Sequence, residues 1–267
     1  MVKLSDKLTN NLLVLRIPKF TVNFAKNKSY RYSVEEEKKE LKKVLAEASH
    51  GYCMYCYRRI DLDGENYGHL EHAIEKNNSD KLIDCVPNIA IACSVCNTSY
   101  KKRGEQQRKL SKKVMEKYNS TVCKSGCVKS CLAYEKIKEE YVKNQYAQII
   151  LQPLGVKGMD SKEELRIEYD ILNAQFKPSN NQQYTDREKE FIQKHIDRFQ
   201  LNEKGTKTKQ LMKFLKDTIN NGGRYTNMEY NHMIVELFVE KLKGKSEEEV
   251  LKICSTIYEY AVMKFYT

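Results

Sequence analysis

Two pairs of cysteines, each with two residues between its members, constrain this 267-residue chain more than any other feature. A C-x2-C turn presents two thiolates to one metal ion, so two such turns complete a tetrahedral zinc site. Four thiolates leave no open coordination position, which predicts a structural zinc. Two unrelated surface turns or buried thiols are the alternative. The predicted ligands are Cys53, Cys56, Cys93 and Cys96.

A long insertion separates the two cysteine pairs. Residues 57–92 exceed the spacing of a plain zinc ribbon. Short apolar stretches at residues 60–62 and 89–92 are separated by Asp-Gly, Asn-Tyr-Gly and Asn-Asn-Ser sequences, which are typical of turns. We therefore expect a β-hairpin and loops between the pairs, followed by a helix that begins near Asn97.

Several polar residues lie inside this insertion or directly after it. Glu71 and His72 close a stretch typical of a strand end, Asn88 precedes the second cysteine pair, and Asn97 directly follows it. Together with the four cysteines, this constellation resembles the HNH endonucleases, also called ββα-metal or His-Me finger nucleases. Their pattern has an acid-His pair closing a hairpin, a middle Asn, and an Asn or His at a helix start. The resemblance covers about residues 50–104 and implies a zinc-stapled ββα-metal finger.

The resemblance also implies a role for each residue. Phosphodiester hydrolysis needs a nucleophile made from water near pH 7, and a neutral imidazole within hydrogen-bond reach can take that proton. His72 is the implied general base. Glu71 and Asn97 are the implied ligands of one catalytic Mg²⁺ or Mn²⁺, and Asn88 is expected to hold the loop and the His72 ring through hydrogen bonds. The implied activity is that of a metal-dependent endonuclease acting on nucleic acid, DNA rather than RNA.

Other interpretations of these positions stay open. A Glu-His pair can be a solvated strand surface, and Asn88 can be an ordinary turn residue beside Pro87. On a regular strand Glu71 and His72 point to opposite faces, so both serve one site only if the strand ends or bulges there. His69 shares the strand parity of Glu71 and is a reserve candidate for the base or for a phosphate contact.

The chain is basic, with 47 Lys and Arg against 36 Asp and Glu and a formal net charge of +11. Residues 101–117 carry the densest positive charge. A polyanionic partner such as nucleic acid fits this pattern, and a solvated Lys-rich helix is the alternative. Tyr55 and Tyr57, beside the first cysteine pair, are expected to pack against the finger rather than stack on bases. The candidate nucleic-acid-binding residues are Lys101, Lys102, Arg103, Arg108, Lys109, Lys112 and Lys113.

The remaining cysteines form weaker patterns. Cys123, Cys127 and Cys131 recur every four residues, which predicts a buried stripe on a helix, with a second metal site as the alternative. Cys85 and Cys254 are expected in the core. No apolar run is long enough for a signal peptide or a membrane span, so we expect a cytoplasmic protein without membrane association, whose cysteines are reduced.

The order of these patterns predicts an α+β protein with an additional, mostly helical C-terminal domain, and the resemblance implies that its first part is a zinc-stapled HNH finger. Ser33 followed by Glu36 is a capping-box pattern and predicts the start of a leading helix. The predicted segments are an N-terminal arm at 1–32, the HNH nuclease domain with leading helix and basic trailing helix at 33–118, a cysteine-containing connector at 119–132, and the helical domain at 133–267.

A second resemblance lies outside the finger. Pro153, residues 169–178 and Leu201-Asn202 look like the downstream part of HNH proteins found beside an ATPase in bacterial anti-phage systems of the Septu and retron-linked type. The Arg that follows the Leu-Asn step in those proteins is absent here. This resemblance implies an antiviral defence effector with an ATPase partner. Two alternatives stay open: a zinc-finger-like module that binds nucleic acid or protein without catalysis, and a stand-alone restriction-type HNH nuclease.

Overall fold

A computed structural model describes residues 10–121, 126–203, 207–226 and 230–266 as a mixed α/β protein with small sheets and several helices. The helices are α1 (Asn10–Leu13), α2 (Glu35–Ala48), α3 (Lys112–Asn119), α4 (Leu132–Lys143), α5 (Asp186–Arg198), α6 (Lys207–Asn220), α7 (Met233–Leu242) and α8 (Glu247–Tyr266). The strands are β1 (Val14–Arg16), β2 (Asp61–Leu62), β3 (Glu65–Asn66), β4 (His69–His72), β5 (Ile89–Ala92), β6 (Ile167–Asp170) and β7 (Gln175–Pro178).

The chain divides into two compact units, each built from separate stretches of sequence. We call them the sheet unit (Met1–Ile17, Arg166–Gln182 and Gln200–Thr267) and the finger unit (Pro18–Leu165 and Gln183–Phe199). This division runs differently from the four predicted segments, because β1 pairs with β6 in a sheet that also contains β7. Local sequence patterns carry no information about such long-range strand pairing.

The leading helix of the finger unit forms as predicted, but its predicted cap does not. Helix α2 spans Glu35–Ala48 and carries three acidic residues in its first turn, where negative charge is favourable. Ser33 does not cap it, and the N-cap residue Val34 makes no side-chain cap bond. The Ser33 hydroxyl and N–H instead donate to the Asp84 carboxylate at 2.7 and 2.8 Å. The predicted capping box is therefore wrong, since a distant carboxylate binds the capping serine.

The predicted hairpin material between the cysteine pairs forms two short antiparallel pairs. Strands β2 and β3 are joined at Asp63-Gly64, where both residues have positive φ (54° and 79°) as in a type I′ turn. Strands β4 and β5 pair in regular register from His69 opposite Ala92 to His72 opposite Ile89. All four residues of β5 are buried, and Glu71 and His72 lie at the buried end of its partner strand β4.

The sheet unit has its own apolar interior. Tyr169 of β6 and Phe176 of β7 face each other across the sheet with ring centroids 4.9 Å apart. Helices α6 and α8 pack against one another, and Phe214 and Cys254 on these helices are fully buried. Cys85 of the finger unit is buried as well, so the predicted core positions of both lone cysteines are confirmed. Among the described residues, no helix has the length and apolar character needed to cross a membrane.

Candidate active site

The four predicted zinc ligands come together in the finger unit. The first pair lies in the turn before β2, and the second pair follows β5 at the start of a π-helix (Cys96–Tyr100). The four sulfur atoms all lie within 4.8 Å of one another, and Cys56 Sγ is 3.7 Å from Cys93 Sγ. A tetrahedral zinc with bonds of about 2.3 Å separates its sulfur ligands by about 3.8 Å. The cluster can therefore hold a structural metal such as zinc.

Backbone hydrogen bonds shape the first cysteine turn for this purpose. The Cys53 N–H donates to the Arg58 carbonyl at 2.8 Å, and the Tyr57 N–H donates to the Cys53 carbonyl at 2.9 Å. The Met54 N–H donates to Ile91 of β5 at 3.1 Å, which ties the turn to the hairpin. Burial raises the pKa of the Cys53 thiol well above its usual value. A bound cation would supply the positive charge needed to keep such a thiol deprotonated.

Glu71 is buried and fully engaged. Its Oε2 accepts a hydrogen bond from the Tyr55 hydroxyl at 2.6 Å, and its Oε1 accepts one from the Lys101 ammonium at 2.9 Å. The Tyr55 ring stacks on Phe199 with centroids 4.8 Å apart. Tyr55 and Tyr57 are both buried, which confirms that these aromatic residues pack inside the finger.

Lys101 and Arg108 occupy positions that the sequence did not predict. Both were candidate nucleic-acid contacts, but Lys101 is only 4% exposed and Arg108 is 0% exposed. Lys101 lies 3.3 Å from Glu75 Oε1, and Arg108 Nη2 lies 2.7 Å from the same oxygen. The Tyr141 hydroxyl donates to Glu75 and accepts from Arg108 Nε at 3.1 Å. Assigning Lys101 and Arg108 to phosphate binding is therefore wrong for this conformation, because buried carboxylates already bind them.

We call this arrangement the Lys101 network: Glu71, Glu75, Lys101, Arg108 and the hydroxyls of Tyr55 and Tyr141. Burial by itself raises the pKa of Glu75, but the positive charges of Lys101 and Arg108 outweigh it and hold that pKa below its usual value. Sequence reasoning missed Glu75 and Tyr141. Glu75 lies four residues after Glu71, which is a weak signal, and no signal links it to Tyr141, 66 positions away.

His72 lies at the end of β4 in an enclosed position. It is 8% exposed, and the Tyr32 ring packs edge-on against it with centroids 4.6 Å apart. Its Nε2 lies 3.0 Å from the Ile83 carbonyl. A carbonyl oxygen only accepts, so Nε2 carries the proton and Nδ1 keeps the free lone pair in the neutral ring. Burial lowers the pKa of His72 below its usual value, which keeps the ring neutral near pH 7.

Asn88 is fully buried and holds the loop that follows β4. Its Oδ1 accepts from the Ile74 N–H at 2.7 Å, and its Nδ2 donates to the Ile74 carbonyl at 2.9 Å. The Tyr134 hydroxyl also donates to Oδ1 at 3.1 Å. Asn88 ends a short 3₁₀ turn, as the turn alternative expects, although its side chain is buried. The predicted bond to the His72 ring is wrong, because the Ile83 carbonyl holds that ring.

The remaining candidates are more exposed. Asn97 lies in the π-helix with a partly exposed side chain, and its N–H donates to the Cys93 carbonyl at 3.0 Å. His69 is exposed at the start of β4. The strand is regular through His72, and Glu71 and His72 contact different partners, as the strand parity predicts. The exposed basic candidates are Lys102, Arg103, Lys109, Lys112 and Lys113.

The later cysteines do not form a helical stripe. Cys131 caps the start of α4 by accepting from the Tyr134 N–H at 3.4 Å, and Cys127 lies before that helix and donates to the Lys129 carbonyl. Both are partly exposed, so the predicted buried stripe is wrong for these two. The third member, Cys123, lies outside the described residues. The four-residue recurrence arose here from a turn and a helix cap, which spacing alone does not distinguish from a helix.

The described structure defines a mixed α/β protein whose finger unit carries a four-cysteine cluster able to hold a metal such as zinc. Comparisons with known proteins assign it no family: no family model matches the chain, and no curated protein or solved structure matches it.

Proposed function

We propose that the protein is a zinc-stapled HNH-type endonuclease that hydrolyses phosphodiester bonds of nucleic acid, with DNA as its substrate. The observation that carries this proposal is the setting of His72. Its Nε2 faces the Ile83 carbonyl at 3.0 Å, which leaves Nδ1 as the basic nitrogen. The Ile83 carbonyl and the edge-on Tyr32 ring hold that imidazole in one place. Such an imidazole is suited to take a proton from an attacking water.

The protonation state of His72 supports this role. Burial lowers its pKa, so the ring is neutral near pH 7 and can accept a proton. The hydrogen bond from Nε2 to the Ile83 carbonyl also stabilises the imidazolium that forms when Nδ1 accepts that proton. The Tyr32 ring excludes water from one side of the imidazole. His72 therefore acts as the proton acceptor, while the backbone carbonyl fixes its tautomer and orientation.

The proposal includes one divalent ion, Mg²⁺ or Mn²⁺, held by Glu71 and Asn97, whose oxygens are the ligand type that such ions prefer. The present conformation does not fit such an ion. Both oxygens of Glu71 already accept hydrogen bonds, one from Tyr55 and one from the positively charged Lys101. The proposed proton transfer by His72 does not depend on the occupied oxygens of Glu71, because the His72 ring contacts the Ile83 carbonyl and not Glu71.

Nucleic acid as the substrate class is supported by charge. The net charge of +11 favours a polyanion, and five exposed basic residues of the 101–113 stretch are free of the buried network. Phosphate contacts of this kind position a duplex without specifying its sequence. A partner that supplies the target or the trigger is therefore part of the proposal, and the downstream resemblance makes an ATPase of an anti-phage system the proposed partner.

A second candidate function is a zinc-dependent binding module without catalysis. Two observations favour it: Glu71 is already paired with Lys101, and His72 is 8% exposed. A binding module keeps its affinity for nucleic acid or protein without hydrolysis. A stand-alone restriction-type nuclease is a variant of the first proposal. It differs because the purified protein, without a partner, would cut DNA into fragments of defined length.

Cleavage of supercoiled plasmid DNA and of total RNA by the purified full-length protein tests these proposals. The parent protein, His72→Ala and His69→Ala are compared in Mg²⁺ or Mn²⁺, with zinc content measured on all three. We expect metal-dependent nicking of DNA by the parent, at least about a hundredfold loss in His72→Ala, and unchanged activity in His69→Ala, the exposed histidine of the same strand.

Equal activity in His72→Ala and the parent would contradict the proposed base. A zinc-loaded parent that binds plasmid but does not cleave it would favour the binding module, provided that proteins encoded by neighbouring genes do not restore cleavage. Faster cleavage of RNA than of DNA would move the substrate to RNA with the same chemistry.

A further inference from the structure

The Lys101 ammonium lies inside a cage of oxygen atoms. Its Nζ is 2.7 Å from the Ala73 carbonyl, 2.9 Å from Glu71 Oε1, 3.1 Å from the His72 carbonyl and 3.3 Å from Glu75 Oε1. An ammonium has three N–H donors, and this cage provides acceptors for all of them. Two carboxylates and two backbone carbonyls are also the oxygen ligands that a hard divalent ion prefers.

The π-helix after the second cysteine pair brings Lys101 to this position. The Lys101 N–H donates to the carbonyl of Cys96, five residues earlier, at 2.9 Å. The wider turn of a π-helix places one more residue between the cysteine and Lys101 than an α-helical turn would. The four-cysteine cluster and the oxygen cage are thus joined by one short helical segment.

The charges of the cage are balanced. Glu71 and Glu75 contribute two negative charges, and Lys101 and Arg108 contribute two positive charges, so the buried sum is zero. All four side chains are buried. A divalent ion added beside Lys101 would leave two uncompensated positive charges in a buried site, which is strongly unfavourable.

We propose that the Lys101 ammonium is the resident cation of this cage and that a divalent ion binds Glu71 only after the ammonium has left. Lys101 is then a positioning residue, because it holds Glu71 and the carbonyls of His72 and Ala73 at the strand end that carries the general base. The inference rests on the proposed function in two respects, since Glu71 is the ligand proposed for the catalytic ion and His72 is the proposed general base. It also explains why Glu71 does not fit that ion in this conformation.

Manganese binding by the full-length, zinc-loaded protein tests the proposal. Mn²⁺ left free in solution is measured by electron paramagnetic resonance with the parent, Lys101→Met and Lys102→Met, the last being the exposed neighbour. Methionine keeps the length of the lysine and removes its charge. We expect Lys101→Met to gain one site per chain, with affinity more than about tenfold above the parent and Lys102→Met. Adding Glu71→Gln to Lys101→Met should abolish the gained site.

Two results would overturn the proposal: equal Mn²⁺ affinity in the parent and in Lys101→Met, or no gained site in a folded Lys101→Met. If Lys101→Met does not fold, the proposal is tested instead by terbium luminescence of the parent and of Glu71→Gln. Tb³⁺ bound at Glu71 would lie beside the Tyr55 phenol and be sensitised by it. Equal emission from the parent and Glu71→Gln supports the proposal, and emission lost in Glu71→Gln overturns it.

Neither measurement involves hydrolysis, so its outcome is separate from that of the proposed nuclease. A chain that never cleaves nucleic acid and still gains a manganese site in Lys101→Met would support the cage and contradict the nuclease. A chain that cleaves through His72 with manganese bound beside an intact Lys101 would support the nuclease and contradict the resident cation.

Discussion

Two centres in the finger unit gather acidic groups: the four-cysteine cluster and the Lys101 network. The cluster brings four sulfur atoms within 4.8 Å of one another, and four thiolates gathered so closely would need a cation to compensate their charge. The network contains two carboxylates together with its own lysine and arginine. The same electrostatic requirement can therefore be met by a metal at one centre and is met by the chain itself at the other.

This difference has a consequence for stability. The stability that a metal site contributes depends on the free metal concentration and on chelators, because binding of the ion to the folded state shifts the folding equilibrium. An internal ion pair depends on neither, but removing one member leaves the other charge buried without a partner. The two centres should therefore respond to different perturbations.

The largest expected effect follows from removal of zinc. Cys53→Ser, or a strong chelator added to the parent, should unfold the finger unit, because structural zinc contributes on the order of 10 kcal/mol in zinc-finger peptides. Thermal melts followed by circular dichroism, with zinc content measured in parallel, check this. Cys127→Ser, at a partly exposed cysteine outside the cluster, should melt as the parent does. A zinc-free Cys53→Ser protein with an unchanged melt would contradict the structural role.

The next effect concerns the internal ion pairs. Glu75→Gln removes a negative charge that faces Lys101 and Arg108, so we expect a loss of about 3–5 kcal/mol in the free energy of unfolding. Urea denaturation of the zinc-loaded protein measures it. Glu116→Gln, at an exposed pair with Lys112, should change stability by less than about 0.5 kcal/mol. Similar small losses in both variants would mean that the network does not stabilise the fold.

His195 is a third buried ionisable group in the finger unit, and it differs from the two centres because its recorded partner is a backbone N–H and not a metal or an ion. Burial, followed by the charge of Arg198, lowers the pKa of His195 from 6.5 to about 3. Its Nδ1 accepts from the Ile150 N–H at 3.0 Å, so the neutral ring is the form that the fold holds. A histidine with a lowered folded pKa adds stability above its unfolded pKa, and that stability is lost as the pH falls toward the folded value.

We therefore expect His195 to reduce stability by roughly 1 kcal/mol per pH unit on acidification from about pH 6 toward pH 3. Urea denaturation at several pH values measures this slope. His195→Gln retains an acceptor for the Ile150 N–H and has no ring to protonate, so its slope should be shallower than that of the parent. Parallel slopes in the two proteins would assign the acid loss to other groups.

Several parts of the site could be predicted from the sequence because their causes are local. The two C-x2-C turns depend on spacing alone, and the Asp63-Gly64 turn depends on residues that accept positive φ. The loop-holding role of Asn88, which the resemblance implied, matches its hydrogen bonds, but its partners Ile74 and Tyr134 could not be predicted. Two predictions were wrong because spacing does not specify tertiary partners or turns. Ser33 binds the Asp84 carboxylate instead of capping α2, and Cys127 and Cys131 lie in a turn and at a helix cap instead of along one helix.

The sequence by itself determined the two cysteine turns, the hairpin at Asp63-Gly64 and the leading helix, since turn chemistry and apolar periodicity act within a few residues. Only the tertiary structure decided which basic residues stay in solvent. Lys101 and Arg108 belong to the same basic stretch as Lys109, but buried carboxylates at Glu71 and Glu75 bind them. A buried charge is tolerated only where an opposite charge is brought to it, and residues far apart in sequence meet only in the folded chain.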